Sequence, residues 1–503
     1  MADILMVFPK TGFDVEGAVA PPFGLLTIAA PLHQEGYKIK IIDQRTDNNW
    51  RNTLKEELKK NPICTAISAI SGTQIGFGIA ANKIVKEYNK EQRIIWGGTH
   101  ATILPEQTLE NEDIDIVVKG EGEKTFYELI KGLEKNSQLQ DIKGLFLKDK
   151  EGKITSTGER PLMDMEELLP TPWELVNPSD YIYKDFYMRD VKRTMDIGQT
   201  SRGCPFKCGY CCSSHIRKVW RPMSAKKAAE RIITDVKRFN LDSIWIRDDN
   251  FFVDMKRATD ICNILLKEKV DIKWYSSGTR ADAIMKMTHE EITTIKRAGS
   301  EVFKIGAESG SPRILQLISK QATVEDTLNA NKKSMKYDII PAFSFIGGFP
   351  TETYDELLQT IDCMIKLKKD NPAAQIESMC IYTPYPGTSL YPLALEHGLK
   401  PPQKLEEWST WGFHDFNEER NPWLNSNERR RLGNICYIST LACTVKNLTT
   451  SMKNPLKRGM AQSVIYPLSN YYQWRFNQKL FNWAPEISLI RYIRHRMLDK
   501  VKE

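Results

Sequence analysis

Long apolar runs are absent from this 503-residue sequence. A membrane-spanning helix needs about 18 to 20 consecutive apolar residues, and no stretch reaches that length. The first ten residues, MADILMVFPK, turn polar too early for a signal peptide. These absences predict a cytoplasmic protein, and a composition of 41% hydrophobic and 27% charged residues is typical of a globular one.

Cysteine is sparse, and its placement does not suit a disulfide framework. Four of the ten cysteines fall at positions 204, 208, 211 and 212, while the other six stand alone. In an intracellular chain, clustered cysteines more often bind metal or carry out redox chemistry. We therefore expect a metal or redox site near residue 208.

Acidic residues are scarce in one region only. Residues 427–503 contain 14 Lys and Arg but 4 Asp and Glu, a net charge of +10 where the whole chain carries +7. Aromatic residues such as Tyr471, Tyr472 and Trp474 lie among the basic ones. Three interpretations stay open: a folded cap with a solvated basic face, peripheral contact with an anionic membrane or a lipid-soluble substrate, and, least favoured, nucleic-acid binding.

Short apolar strands alternate with amphipathic helices over most of the chain, which predicts an α/β protein. The first strands are expected at residues 3–8, 38–43, 64–70, 93–96 and 114–118, with helices at 25–35 and 75–88 between them. This alternation predicts a doubly wound parallel sheet in a domain of residues 1–135. Ligands of such sheets bind beyond the carboxyl ends of the strands.

A second alternating series follows a hairpin and linker at residues 136–190. Its strands are expected at residues 195–200, 243–247, 272–276, 301–307, 342–346 and 376–382, with helices such as 225–239, 255–266 and 354–367. Six βα repeats predict a partial parallel barrel over residues 191–400. Residues 401–503 are expected to form a mostly helical, basic and aromatic region, with helices at 426–445 and 487–501.

Three cysteines lie on a short loop directly after the first barrel strand. Cys204, Cys208 and Cys211 supply three thiolates, which suit three irons of a [4Fe–4S] cluster. The fourth iron is then open to chelate the amino and carboxylate groups of a small molecule. A structural zinc site needs a fourth ligand, and Cys212 points away from its neighbour Cys211. The spacing therefore predicts a cluster.

This loop and the six repeats resemble the radical S-adenosylmethionine superfamily, whose hallmark is this three-cysteine spacing with an aromatic residue, here Tyr210, before the last cysteine. The resemblance covers residues 193–395 and implies S-adenosylmethionine contacts at successive strand ends. They are Asp248 and Asp249 for the methionine amino group, Ser277, Thr279 and Arg280 for the ribose and carboxylate, Glu308 as a further hydrogen-bonding group, and Gly347 and Gly348 near the adenine.

The first domain resembles the cobalamin-binding domain of one subfamily, which includes C- and P-methyltransferases and the anaerobic magnesium-protoporphyrin monomethyl ester cyclase. The resemblance implies cobalamin contacts at Pro22, Gly24, Asp43, Ser68, Gly97, Gly98, His100, Gly120, Glu121 and Glu123. Many such domains place a histidine under cobalt, but here Arg45 occupies that position. We expect no protein imidazole under cobalt and a structural or hydrogen-bonding role for His100. A domain without cobalamin is the alternative.

The predicted function is reductive cleavage of S-adenosylmethionine to a 5′-deoxyadenosyl radical, hydrogen abstraction from an unactivated carbon, and methyl transfer from methylcobalamin. The same architecture suits an oxidative cyclase. An RNA-modifying radical enzyme is less favoured, because such enzymes carry further cluster cysteines where this chain has only Cys64. The interpretation as a non-catalytic cobalamin-binding protein leaves the cysteine loop without a function. We expect a small-molecule substrate, and one interpretation of the basic region makes this substrate lipid-soluble and apolar. We also expect an external one-electron donor such as flavodoxin or ferredoxin.

Overall fold

Two sheets organise the chain, and a helical region follows them. The computed structural model describes residues 3–11, 20–149, 151–216, 219–412, 420–444 and 455–487. Both sheets contain a run of parallel strands, so the carboxyl ends of several strands meet along one edge of each sheet. These edges are where the predicted sites lie.

The first sheet has seven strands in the order β2-β1-β3-β4-β5-β6-β7. The first five strands are parallel, as predicted, and residues 4–7 of β1 are completely buried because helices cover both faces. The strands are β1 Ile4–Phe8, β2 Ile39–Asp43, β3 Cys64–Ser68, β4 Ile94–Gly97 and β5 Ile116–Val118; the helices are α1 Phe23–Gln34, α2 Trp50–Leu58, α3 Thr73–Tyr88, α4 Thr99–Ile103, α5 Pro105–Glu110 and α6 Gly122–Glu134.

The predicted hairpin is present and extends the first sheet. Strands β6, Leu145–Lys148, and β7, Ile154–Ser156, pair antiparallel, and β6 also pairs antiparallel with β5. The turn between them uses Gly152 at φ +83°, a backbone region that favours glycine. The linker then runs through three short 3₁₀ helices, Met165–Glu167, Trp173–Leu175 and Pro178–Tyr181.

The second sheet has six parallel strands in the order β15-β14-β13-β12-β11-β8, so the predicted partial barrel is confirmed. A two-stranded antiparallel pair, β9 and β10, flanks the cysteine loop. The strands are β8 Thr194–Asp196, β9 Ser201–Arg202, β10 Arg221–Pro222, β11 Ser243–Ile246, β12 Lys273–Thr279, β13 Ser300–Glu308, β14 Ile340–Gly347 and β15 Gln375–Ile381.

Helices cover the outer face of the barrel and bury a largely aliphatic core against it. Several begin with a capping box, such as Thr353 with Glu356, which satisfies free amide groups of the first turn. The helices are α7 Ser213–Ile216, α8 Ala225–Phe239, α9 Met255–Lys267, α10 Ala281–Lys286, α11 His289–Arg297, α12 Pro312–Leu317, α13 Val324–Lys336, α14 Tyr354–Asp370 and α15 Tyr391–Glu396.

The C-terminal region is helical where it is described. It contains a 3₁₀ segment at Leu405–Thr410, α16 at Ser426–Ser439, a π-helical turn at Thr440–Thr444 and α17 at Pro455–Asn477. Helix α17 was not predicted, because Pro467 lies inside it. Most of the helix predicted at 487–501 lies outside the described residues. Within the described ranges, no helix is both long and apolar enough to cross a membrane.

Candidate functional site

The cysteine loop is fastened at both ends by one carboxylate. Gly203, at φ +84°, donates its backbone N–H to Asp249 Oδ2 at 2.9 Å. On the far side of the loop, Ser213 Oγ donates to Asp249 Oδ1, also at 2.9 Å. Asp249 therefore holds Cys204 and Cys211 on one short arch above the end of β11.

Asp248 faces the other way and anchors the strand that leads into the loop. Its carboxylate accepts four hydrogen bonds, from the backbone and hydroxyl groups of Thr200 and Ser201, at 2.5 to 3.0 Å. Burial raises the pKa of Asp248, which these hydrogen bonds partly offset. Asp249 thus reaches the cysteine loop, while Asp248 is occupied by Thr200 and Ser201 of the preceding segment.

The loop roofs a cavity of about 300 Å³ inside the barrel. All three predicted cluster cysteines line it, together with most of the side chains predicted for S-adenosylmethionine. The predicted residues that line the cavity are Cys204, Cys208, Tyr210, Cys211, Asp249, Ser277, Thr279, Arg280 and Glu308. Asp248, Gly347 and Gly348 are described and do not line it. Lining residues that the sequence did not indicate include Lys304, Lys320, Ser344 and Glu377.

Glu308 ends β13 in an unusual conformation. Its φ of +64° lies in the left-handed region, which costs a residue with a side chain about 1 to 3 kcal/mol and is commonest at functional sites. The carboxylate accepts the Tyr210 hydroxyl at 2.6 Å and the Lys320 ammonium at 2.8 Å. Burial raises the pKa of Tyr210 well above its usual range. Glu308 therefore joins the cysteine loop to Lys320, a lysine only 5% exposed.

Gly347 and Gly348 contact the C-terminal region instead of the cavity. A Cβ atom on Gly348 would lie 2.5 Å from Leu432 Cδ2 of α16, and one on Gly347 would lie 3.4 Å from Leu432 Cδ1. The Gly348 carbonyl accepts the indole N–H of Trp423 at 3.1 Å. Gly348 thus allows α16 to pack closely on the end of β14, whereas a Cβ on Gly347 would first meet Leu357 and Met379 of the barrel, each at 2.8 Å.

At the carboxyl edge of the first sheet, small residues pack closely together, and Gly120 has open space beside it. Ser68 ends β3 between Gly24 and Gly98, and a Cβ atom on these glycines would lie 3.6 and 2.8 Å, respectively, from its hydroxyl. Gly97 ends β4, and a Cβ on Gly120 would meet no atom within 4 Å. Pro22 precedes α1 at the same edge. Most of the predicted cobalamin contacts therefore lie together at the edge where ligands of doubly wound sheets bind.

Arg45 and Asp43 form a buried pair at the end of β2. Arg45 Nε and Nη2 donate to the two oxygens of Asp43 at 2.9 and 2.6 Å, and Nη2 also donates to the Ala20 carbonyl. Tyr181 of the linker donates its hydroxyl to Asp43 at 3.0 Å. The guanidinium lies 4.2 Å from the Phe8 ring centroid. The arginine that replaces the expected histidine is thus a fixed part of this edge.

His100 is fully buried beneath the C-terminal region. Its Nδ1 is 2.8 Å from Ser71 Oγ, and its ring meets Trp408 edge-on at 5.5 Å between centroids. Burial lowers the pKa of His100 to about 4, so the ring is neutral at pH 7. These contacts agree with a hydrogen-bonding role.

Two of the predicted cobalamin residues form an ion-pair network between the domains. Arg202 Nη2 is 2.6 Å from Glu123 Oε1, and Arg202 Nη1 is 3.4 Å from Glu121 Oε1. Arg221 Nη2 is 2.6 Å from the same Glu121 oxygen. Arg202 lies two residues before Cys204, so Glu121 and Glu123 attach the first domain to the cysteine loop.

An open parallel barrel carries the three-cysteine loop, and a doubly wound domain with a glycine-rich edge precedes it. Together these two parts define a multi-cofactor radical enzyme. Residues 199–364 match the Radical SAM superfamily, and residues 10–130 match the B12 binding domain. An uncharacterized methyltransferase of Pyrococcus horikoshii is 33% identical over 413 residues, which cover 81% of this chain and 86% of the relative. The anaerobic magnesium-protoporphyrin IX monomethyl ester cyclase of Rubrivivax gelatinosus is 26% identical, with 74% of this chain and 66% of the cyclase covered.

Two solved structures share the fold. The cobalamin-dependent S-adenosylmethionine radical enzyme OxsB superposes with a TM-score of 0.74 at 19% identity, covering 98% of this chain and 75% of that one. The radical S-adenosylmethionine methyltransferase TsrM of Kitasatospora setae gives 0.65 at 15% identity, covering 91% and 90%. This chain belongs to the cobalamin-binding radical S-adenosylmethionine enzymes. Its cofactors are a [4Fe–4S] cluster, S-adenosylmethionine and cobalamin.

Proposed function

We propose that the enzyme methylates an unactivated carbon of a small molecule, with the barrel cavity as the reaction site. The observation that supports this most is the placement of the cysteine loop, which roofs the cavity and is tied by Arg202 to the glycine-edged domain. When bound, S-adenosylmethionine and the cluster supply a 5′-deoxyadenosyl radical, and cobalamin supplies a methyl group. An oxidative cyclase is the second candidate, favoured by the similarity to the magnesium-protoporphyrin cyclases.

Each cavity residue takes a role that its contacts allow. Cys204, Cys208 and Cys211 hold the cluster. Asp249 orients the loop and, with Ser277 and Thr279, presents oxygen atoms to the amino and hydroxyl groups of S-adenosylmethionine. Glu308 accepts hydrogen bonds at the strand end, where Lys320 and Tyr210 fix its carboxylate. We also propose domain boundaries at residues 135, 190 and 400, as predicted from the sequence.

The floor of the cavity is charged, which favours a substrate with at least one polar group. Lys304 Nζ lies 3.0 Å from Glu377 Oε1, and both side chains remain partly exposed to the cavity. Tyr187 donates its hydroxyl to Glu377 and places its ring 4.2 Å from the ammonium. Ser344 and Gly306 line the same cavity, and a Cβ atom on Gly306 would meet the Glu308 carboxylate. The Lys304 ammonium has three N–H groups, so an apolar molecule beside this pair would leave part of its hydrogen-bonding capacity unmet.

Two partners complete the proposal. The cluster needs an external one-electron donor of the flavodoxin or ferredoxin class. Residues 427–503 make peripheral contact with an anionic membrane, which their net charge of +10 favours.

Anaerobic reconstitution tests the site. The full-length protein is expected to hold about four iron per chain, and the Cys204/Cys208/Cys211→Ala variant almost none. With reductant and S-adenosylmethionine, the wild type should release 5′-deoxyadenosine. Equal iron in both proteins would refute the cluster assignment.

Electron paramagnetic resonance of the Co(II) form tests the cobalamin edge. We expect a spectrum without nitrogen splitting, because Arg45 is bound to Asp43 where an imidazole would otherwise stand. Nitrogen splitting that disappears in His100→Ala would assign that histidine to cobalt. Failure to bind cobalamin at all would remove methyl transfer and leave the radical chemistry of the barrel.

A further inference from the structure

Helix α17 has two apolar faces, and the described part of the chain covers one of them. Its inner face packs Tyr472 and Phe476 against α16, where they are 3% and 2% exposed. Its outer face carries large apolar side chains in view of solvent. These are Leu456, Met460, Val464, Leu468, Tyr471 and Trp474, between 43% and 81% exposed.

The spacing makes these six side chains one continuous stripe. They follow one another at intervals of four or three residues, which is the repeat of a single helix face. A surface helix normally presents polar groups on its outer side, and a contiguous exposed apolar patch marks an interaction site. Trp483 and Leu480, just beyond the helix, are also exposed, at 78% and 45%.

The charge around the stripe identifies its partner. Helix α17 contains no acidic residue. Its basic residues are Lys457, Arg458 and Arg475, of which Arg475 is buried and paired with Glu486. The sequence on both sides is basic as well, so that residues 427–503 carry +10. An apolar stripe with Trp and Tyr, set within basic sequence, matches an anionic lipid interface, where acyl chains meet negative headgroups.

We infer that the outer face of α17 inserts into the surface of an anionic membrane. This inference rests on the membrane contact proposed for residues 427–503 and assigns it to one face. Basic residues attract the protein to the surface, and the stripe enters the boundary between headgroups and acyl chains. Electrostatic attraction and apolar insertion are each weak alone, so stable attachment to the membrane needs both.

Co-sedimentation of full-length protein with vesicles of equal parts phosphatidylserine and phosphatidylcholine tests the assignment. The stripe variant Met460→Gln/Val464→Gln/Leu468→Gln keeps the net charge and removes apolar side chains. Leu162→Gln/Met335→Gln/Leu395→Gln is the matched control, since these three are exposed apolar residues elsewhere. We expect the control to sediment as the wild type does, and the stripe variant to lose most of its bound fraction.

Three other results would overturn the assignment, each for a different reason. If wild-type protein ignores the vesicles at low salt, the proposed membrane contact itself fails. If the stripe variant binds as well as wild type, the contact stands but is made by charge alone. If wild type forms a dimer without lipid and the stripe variant does not, the stripe is an interface between two copies of the chain.

A second, independent observation concerns Arg280, which the sequence assigned to S-adenosylmethionine. Its Nη2 donates to the carbonyls of Lys320 and Gln321 at 2.6 and 3.0 Å, and its Nε donates to Asp282 at 2.8 Å. Its Nη1 is directed at Cys208 Sγ, 3.9 Å away. The guanidinium also lies 3.7 Å from the Phe206 ring centroid.

These contacts hold Arg280 as a fixed positive charge beside a cysteine. The side chain is 7% exposed, so solvent screens this charge weakly. Asn250 makes a similar contact without a charge, because its amide nitrogen lies 4.0 Å from Cys204 Sγ. Hydrogen bonds and positive charge near the thiolates favour the reduced, more negative state of a cluster.

We propose that Arg280 is a positioning residue that raises the reduction potential of the cluster. It thereby eases electron transfer from the external one-electron donor to the cluster. This inference rests on the cluster assignment to the three cysteines. Asn250 acts in the same direction with a smaller effect, because it carries no charge.

A redox titration of the reconstituted full-length protein, followed by electron paramagnetic resonance, tests this role. Arg280→Gln should keep its iron and shift the midpoint potential to lower values, and Asn250→Leu should shift it less in the same direction. Arg231→Gln is the control, because this buried arginine donates to the carbonyls of Ile197 and Gln199. Its midpoint should match the wild type.

The outcomes distinguish a failure of the cluster assignment from a failure of the role proposed for Arg280. Loss of iron from wild type would mean that the cluster assignment fails. An unchanged midpoint in iron-loaded Arg280→Gln, with weaker S-adenosylmethionine binding, would return Arg280 to the role of a cofactor ligand. If Arg280→Gln does not retain iron, Asn250→Leu decides: an unchanged midpoint there overturns the inference.

Discussion

Glu308 combines two energetically unfavourable features, a left-handed backbone conformation and a buried charge. Its carboxylate is the ion-pair partner of Lys320, and the two side chains are 7% and 6% exposed. Removing one member of a buried pair leaves an uncompensated charge, which costs about 3 to 5 kcal/mol. The strain at φ +64° is therefore sustained by the surrounding contacts.

We expect Glu308→Ala to weaken S-adenosylmethionine binding and to lower the free energy of unfolding by about 3 kcal/mol. Glu308→Gln keeps the shape and one acceptor, so its loss of stability should be smaller. Equilibrium binding of S-adenosylmethionine and urea unfolding measure the two effects. Full cofactor affinity in Glu308→Ala, with reduced stability, would make Glu308 a purely structural residue.

His100 predicts a pH dependence of stability in the first domain. Burial lowers its pKa to about 4, against about 6.5 in the unfolded chain. Between these values the unfolded chain binds a proton that the folded one does not, so stability falls as the pH falls from 6.5 to 4. The contribution, fully present above pH 6.5, is about 3 kcal/mol.

The measurement compares wild type with His100→Gln. The difference in unfolding free energy between the two should shrink steadily as the pH is lowered from 7 to 4. A difference that stays constant over this range would show that His100 titrates normally in the folded protein.

At the same scale, the sequence predicted which residue types stand at the strand ends but not where each side chain points. Asp248 and Asp249 were indistinguishable in the motif, yet only Asp249 lines the cavity. Lys320 was missed because it follows α12, where nothing in the local pattern separates a buried lysine from a solvated one. Lys304 was missed because a charged residue inside a strand has no partner visible in sequence; Glu377 lies on a different strand.

Among elements, the parallel strands were predictable because both their faces are buried and they read as apolar runs. Helix α17 was not, since Pro467 removes a backbone donor and normally ends a helix. The close contact of α16 with the end of β14 was also invisible. The Gly347-Gly348 pair suggested a cofactor contact, which stays a prediction; in the structure Gly348 packs against Leu432.

Replacing Gly348 by alanine should loosen α16. The substitution combines a φ of +83° with a Cβ only 2.5 Å from Leu432 Cδ2. We expect a loss of stability of about 2 to 3 kcal/mol, from backbone strain and overpacking together. Thermal or urea unfolding measures it.

The double variant Gly348→Ala/Leu432→Ala isolates the steric part. The two changes should be less destabilising together than the sum of the single variants, because the smaller side chain at 432 removes the clash. Strict additivity would mean that α16 does not lie against Gly348 in solution.

At the scale of the whole molecule, the three regions are joined by contacts between residues far apart in sequence. Trp408 donates its indole N–H to Gln107 at 2.6 Å, and its carbonyl accepts the N–H of Gly72 at 3.0 Å. Trp411 donates to the carbonyl of Pro384 after β15. The C-terminal region thus binds the first domain and the barrel at once. No local pattern predicts such pairings, because both partners are ordinary in their own segments.

The ion-pair network of Arg202 and Arg221 with Glu121 and Glu123 gives the last prediction, since it links the first domain directly to the cysteine loop. The Arg202 and Glu123 side chains are 8% and 7% exposed. Arg202→Met should therefore leave Glu123 buried without its closest positive partner and cost about 3 to 5 kcal/mol. It should also speed the removal of iron from reconstituted protein by a chelator, because Cys204 lies two residues away.

Arg238→Met is the control. It breaks a solvent-exposed ion pair, in which the Arg238 side chain is 42% exposed and that of Glu174 is 55% exposed. This variant should lower the free energy of unfolding by less than about 1 kcal/mol and should not change the rate of iron loss. Equal effects of the two variants on stability and on iron loss would show that the network is screened by solvent and does not support the loop.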